Sequence, residues 1–144
     1  MSSRAYFEMY FHITWHTKSS LRLITPAIEA DLYKFIRDRI FATEDAIIHA
    51  IGGIETHVHL AVSLPPSLQP AEWIVRIKGA SSHHINQLHG PKTLQWQNGY
   101  GIVTFGAKDL TWVVAYIENQ KQRHGSRDIS ERLERIEHPH IAGG

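Results

Sequence analysis

The chain has 144 residues, 42% hydrophobic and 20% charged, and contains no cysteine. This predicts one globular domain with a real core, and it excludes disulfides and thiolate metal sites. Fifteen Lys+Arg against fourteen Asp+Glu leave a net charge of +1, so bulk charge does not advertise nucleic acid; eleven histidines are the one clear excess.

The opening Met1-Ser2-Ser3-Arg4-Ala5-Tyr6-Phe7-Glu8 meets an acid before any signal-type apolar region. No apolar run approaches the roughly 18–20 residues of a membrane span. A cytoplasmic location without a membrane partner is the expectation. Residues 6–15 alternate, with Phe7, Met9, Phe11, Ile13 and Trp15 on one side, and predict a first strand. Thr25-Pro26 predicts a helix start, with a hydroxyl cap and proline in the first turn. Ile28, Leu32, Phe35, Ile36 and Ile40 follow as its apolar stripe.

Residues 46–54 predict a second strand and 57–63 a third, which stops at Pro65-Pro66. A second helix is expected from near Pro70 toward His89. Asn98-Gly99 predicts a hairpin within 94–105. Asp109 then caps a last long helix ending near Gly125, and a short amphipathic piece covers 129–136. The order β-α-β-β-α-β-α predicts an α+β fold, a ferredoxin-like split βαβ with an antiparallel sheet and helices. Residues 1–137 are read as the single domain and 138–144 as a loose tail.

Two segments carry candidate chemistry. Alternate strand residues share a face, roughly 6–7 Å apart. His57 and His59 therefore lie together, opposite Val58, Leu60 and Val62, which mark the core side. Neutral imidazole is the commonest protein metal ligand. An isolated H-x-H is nonetheless more often two polar residues on a half-exposed strand. In the last helix Tyr116 and Gln120 stand one turn apart and project together. Two imidazoles and an amide oxygen make an open shell that suits Mg²⁺ or Mn²⁺ better than structural zinc. A tyrosine at this spacing, taken alone, reads as core packing beside Val113 and Ile117.

With these motifs the sequence resembles the single-tyrosine HUH transposases of small bacterial insertion sequences. The resemblance rests on His57-Val58-His59 and Tyr116-Ile117-Glu118-Asn119-Gln120. It extends to Thr17-Lys18, Lys78-Gly79-Ala80-Ser81-Ser82 and Trp96-Gln97-Asn98-Gly99-Tyr100-Gly101. One departure is Arg123-His124-Gly125, which keeps a single histidine where many members have two. The resemblance implies a dimer with a ferredoxin-like core that binds single-stranded DNA hairpins. It implies Tyr116 as nucleophile, forming a 5′-phosphotyrosine, and His57, His59 and Gln120 as metal ligands, with no small-molecule cofactor. Lys18, Arg22, Lys78, Ser81, Ser82, Lys121 and Arg123 are the expected DNA contacts.

REP-associated tyrosine transposases are close relatives that act on chromosomal palindromes, and a non-cutting DNA-binding protein of the same fold is a further alternative. A histidine-triad hydrolase fails because Ala61 stands where the third histidine belongs. A two-histidine phosphoesterase would pair His12-Ile13-Thr14 with His124-Gly125-Ser126, which falls at a helix end.

Overall fold

The computed structural model describes residues 5–137, so the expected tail at 138–144 lies outside the described residues. Four strands, β1 (Tyr10–His16), β2 (Ile47–Ile54), β3 (His57–Ser63) and β4 (Gly101–Phe105), form one sheet in the order β2-β3-β1-β4. Each neighbouring pair is antiparallel. Helices α1 (Pro26–Phe41) and α2 (Pro70–His89) occupy the two crossovers, which is the ferredoxin-like α+β arrangement expected.

Alternation along the strands sorts the two faces. Phe11, Ile13 and Trp15 of β1 and Val58, Leu60 and Val62 of β3 bury themselves against Ile28, Leu32 and Ile36 of α1 and Ile74, Ile77 and Ile85 of α2. This is the main core. The opposite face carries α3 (Leu110–Glu118), α4 (Gln120–Ser126) and α5 (Glu131–Glu134). There a small apolar cluster of Ala50, Ala61, Val113 and Ile117 seats α3. Gly52 makes that seat possible, because a Cβ on it would lie 2.2 Å from the Ile117 carbonyl oxygen. Gly101 does the same for the C-terminal segment, where an added Cβ would meet the Arg135 carbonyl oxygen.

Several boundaries differ from the sequence reading. The first strand begins at Tyr10, not Tyr6. Its ladders on both sides end there, Tyr10 facing Ser63 and Phe105, and beyond them Met9 only accepts one bond from the Leu64 N–H at 3.3 Å. No hairpin forms about Asn98-Gly99: Trp96 makes only an isolated bridge to Thr17. The Lys78 ammonium gathers the loop instead by donating to the Gln97 and Gly99 carbonyls at 2.7 and 2.8 Å.

The expected long last helix is broken at Asn119 (φ −106°, ψ 24°). The Asn119 side-chain amide donates to the Ala115 carbonyl at 2.8 Å, a local bond that competes with helix propagation. Gly125 does not end the second part. That piece runs to Ser126, and Arg127 turns the chain in the left-handed region at φ 60°. Neither Thr25 nor Asp109 makes a side-chain cap bond.

Candidate active site and metal centre

The face opposite the main core is where the polar side chains gather. His57 and His59 are buried at 3% and 0% exposure, which corrects the half-exposed strand face that H-x-H suggests. Their depth comes from what lies above them. α3 covers β2 and β3, while α5 lies against β1 and β4. The same packing holds Tyr116 at 0% and Gln120 at 1% exposure.

One carboxylate is the hub of the cluster. Glu134 Oε1 lies 3.2 Å from His57 Nε2 and 3.4 Å from His124 Nε2, and Glu134 Oε2 lies 3.3 Å from His59 Nε2. Tyr116 donates its hydroxyl proton to Glu134 Oε2. The backbone N–H of Ser130 donates to the Tyr116 oxygen at 2.8 Å. Arg123 lies over the Tyr116 ring at 5.0 Å and over Trp112 at 5.8 Å, and the Trp112 and Tyr116 rings stack.

Behind the cluster, His12 Nε2 contacts His59 Nδ1 at 2.8 Å, and the Thr56 hydroxyl contacts His57 Nδ1 at 2.9 Å. Such outer contacts fix which nitrogen of a ligating imidazole faces inward. Thr14 donates to the Val58 carbonyl at 2.7 Å. His12-Ile13-Thr14 is therefore a supporting layer, and His124 sits on α4 and not on a second strand, so the two-histidine phosphoesterase geometry is absent.

Burial and mutual charge set the protonation states. Burial lowers His12 to about 3, with the neighbouring His59 adding to the effect. Burial also lowers His59 and His124, against an opposing pull from Glu134. For Glu134, burial works to raise the pKa. Hydrogen bonds with His57 and His59 outweigh it and hold the carboxyl well below the usual carboxylate range. Burial, reinforced by the bond to Glu134, pushes the Tyr116 phenol up to about 12.

His57, His59, His124 and Glu134 offer ligand atoms that all lie within 4.8 Å of one another. Nitrogen and carboxylate donors in this number suit a divalent cation. His59 Nε2 is buried without a properly formed hydrogen bond, as is Gln120 Oε1, while Gln120 Nε2 donates to the Tyr116 carbonyl at 3.3 Å. An orphaned acceptor such as His59 Nε2, turned toward the Glu134 carboxylate, fits a bound cation.

The expected DNA contacts are scattered in their surroundings. Lys18 and Arg22 are exposed near the β1 end of the sheet. Lys121 pairs with Glu29 at 2.6 Å, Arg123 with Asp128 at 3.2 Å, and Lys78 holds the 97–99 loop. Ser82 donates back to the Gly79 carbonyl at 3.2 Å. Ser81 is fully buried, donating to the Lys78 carbonyl and accepting from Trp96 Nε1. That position gives it no surface to offer a phosphate, because its hydroxyl serves the helix–loop packing.

Glu134 is absent from the sequence-based expectations, and His124 enters them only as the single histidine kept at the helix end, without a role in the site. His124 had a signal: it stands one further helical turn beyond Tyr116 and Gln120. Glu134 had none, since its place depends on how the chain after Ser126 folds back.

The family described as "Transposase IS200 like" matches residues 5–120, and the chain belongs to it. Among solved structures, the chain is similar to a protein assigned as a transposase from Deinococcus radiodurans R1. The TM-score is 0.64 at 21% identity, over 83% of this chain and 97% of that one. It is also similar to a REP-associated tyrosine transposase bound to a REP hairpin, with a TM-score of 0.59 at 18% identity, over 87% and 74% of the two chains. At such identities these likenesses show the fold. A comparison with curated proteins gives no match. Among the described residues no helix is long and apolar enough to cross a membrane.

Proposed function

We propose that the chain nicks and rejoins single-stranded hairpin DNA through a covalent 5′-phosphotyrosine on Tyr116. The observation that carries this reading is the meeting of the Tyr116 hydroxyl with the inward edges of His57 and His59 at a single carboxylate. A bound Mg²⁺ or Mn²⁺ would be held by His57 and His59, with the unpartnered Gln120 oxygen as a third donor. It supplies polarisation of a non-bridging phosphate oxygen.

In the nicking step the Tyr116 oxygen bonds to phosphorus and the bond from phosphorus to the 3′ oxygen breaks. The phenol releases one proton to solvent and the departing 3′ oxygen takes one up. The phosphodiester energy is kept in the tyrosyl ester, so rejoining is the reverse attack by a 3′-hydroxyl. A phenol raised to about 12 is almost wholly protonated at neutral pH, so attack requires activation within the complex. Arg123, over the face of the Tyr116 ring, favours the phenolate electrostatically.

Lys18, Arg22, Lys78, Ser82, Lys121 and Arg123 remain the proposed phosphate contacts, and residues 1–137 the catalytic domain of a homodimer. REP-type palindromes are the first hairpins to try, because one structural relative was solved with a REP hairpin. The test is incubation of the chain with labelled hairpin oligonucleotides and Mn²⁺, followed by denaturing gel electrophoresis. Nicked product from the parent and none from Tyr116→Phe is the expected result. Nicking by the Phe variant would remove Tyr116 as nucleophile. Binding without nicking by the parent across a broad hairpin pool would favour the non-cutting DNA-binding protein.

A further inference from the structure

The family match ends at Gln120, yet the most central group of the cluster lies fourteen residues later, on a segment that the fold holds firmly in place. Leu133 is buried at 2% exposure, and the Ser130 hydroxyl caps α5 by accepting from the Leu133 N–H. Arg132 donates to the Thr104 carbonyl of β4 at 2.6 Å, and Gly101 leaves room for the Arg135 carbonyl. These contacts seat Glu134 against three imidazoles.

The arrangement asks for a positive charge among its atoms. His57 Nε2 and His124 Nε2 lie 3.2 Å apart, both turned toward the same carboxylate. In the metal-free protein hydrogen bonds from His57 and His59 hold Glu134 ionised; when His59 Nδ1–H donates to His12 and His57 Nδ1–H to Thr56, both Nε2 atoms instead present lone pairs to Glu134, which is itself an acceptor. The poor hydrogen-bond geometry at His59 Nε2 agrees with that tautomer. Lone pairs facing a carboxylate across little more than 3 Å repel, and a divalent cation between them turns each contact into a ligand bond.

We infer that Glu134 and His124 complete the cation shell begun by His57 and His59, and that Glu134 uses its second oxygen to hold the Tyr116 hydroxyl beside the metal. The C-terminal segment 130–135 is then a clamp whose docking and metal binding are one linked event. Ser130 supports it by donating its backbone N–H to the same phenol oxygen. Glu134 is a ligand and a positioning residue in this scheme, and the scheme rests on the proposed nicking function only for the role of Tyr116.

The test is calorimetric titration of the full chain with Mn²⁺ alone, in the absence of DNA, combined with limited proteolysis after Arg127 and Arg132. Parent protein, Glu134→Ala, Glu134→Gln, His124→Ala and the control Glu72→Ala, exposed on α2 and outside the clamp, are compared. The expected result is a dissociation constant weakened roughly tenfold or more by Glu134→Ala and by His124→Ala, with a smaller loss for Glu134→Gln and none for Glu72→Ala. Mn²⁺ should slow cleavage after Arg127 and Arg132 in the parent and lose that effect in Glu134→Ala. These results uphold the clamp even where no hairpin is nicked, a case in which only the nicking proposal fails. Two results overturn it: a parent that binds no Mn²⁺, or a Glu134→Ala variant that binds it as tightly as the parent or more tightly. Tighter binding together with faster nicking would make Glu134 a competitor for the phosphate site instead.

Discussion

At the scale of single residues, the site depends on a few side chains turned inward from a face that usually stays polar. His59 is the deepest of them, at 0% exposure, between His12 behind and Glu134 in front. His59→Ala should abolish metal-dependent thermal stabilisation and nicking together, while the metal-free protein stays folded. Its circular dichroism and its melting with and without Mn²⁺ check this, and a variant that keeps the Mn²⁺-induced shift would contradict it. Two simple periodicities, two residues along a strand and four along a helix, group His57 with His59 and Tyr116 with Gln120, and the family resemblance supplies their proposed roles. The resemblance singles out His124 as the one histidine kept at the helix end but gives it no role, because spacing along the helix does not show that it turns toward His57. The sequence reading misjudged Ser81, whose neighbour Trp96 arrives from a distant loop.

At the scale of elements, α3 carries Tyr116, the proposed nucleophile, to the sheet only because β2 has no side chain where the two meet. Gly52→Ala would push a methyl group against the Ile117 carbonyl, so the helix must shift. We expect about 1–3 kcal/mol of destabilisation and a loss of nicking larger than the loss of stability explains. Gly79, in mid-α2 with nothing near its missing Cβ, is the counterpart: Gly79→Ala should stabilise by roughly 0.5–1 kcal/mol through helix propensity. Urea unfolding midpoints test both, and equal effects at the two glycines would refute the close-approach argument.

Strand β3 and helices α1 and α2 were legible because each has a regular apolar period and a clear stop, while β2, whose register shifts between Ile48 and Ala50, was legible from its run of apolar and β-branched residues. The break at Asn119 was not, since a side-chain bond to Ala115 overrides an otherwise helical pattern. The hairpin reading failed for a related reason: a good turn dipeptide cannot build a strand whose partners Lys78 has already gathered into a loop.

At the scale of the whole molecule, a fold with one dry core and one histidine-lined face has a definite pH response. His12 and His16 titrate at about 3 and about 4 in the folded protein, chiefly because of burial, against about 6.5 when unfolded. The unfolded chain therefore binds their protons first. Their contribution is fully present above about pH 6.5 and is lost as pH falls toward those folded values, by up to about 1.4 kcal/mol per pH unit for the buried His12. Glu134, held below its ordinary value, adds stability above its unfolded pKa of about 4.5 and loses it in stronger acid. Metal-free protein should thus unfold progressively more easily from pH 6.5 downward, and His12→Gln should flatten part of that slope. A midpoint unchanged between pH 7 and 4.5 would contradict the buried neutral histidines.

The order β2-β3-β1-β4 was legible only as a fold class, through the βαββαβ succession of elements. The docking of residues 130–135 over the site was not legible at all, since it is made by long-range contacts such as Arg132 to Thr104 and Gly101 beneath Arg135.

The central claim is that Tyr116 forms a covalent bond to DNA. The measurement that tests it most directly is mass spectrometry of the peptide adduct after reaction with a hairpin oligonucleotide and Mn²⁺. A 5′-phosphorylated DNA fragment on the peptide containing Tyr116, absent without metal, is the predicted result. Nicked DNA with free ends on both sides and no protein adduct, or an adduct on another tyrosine, would contradict the account.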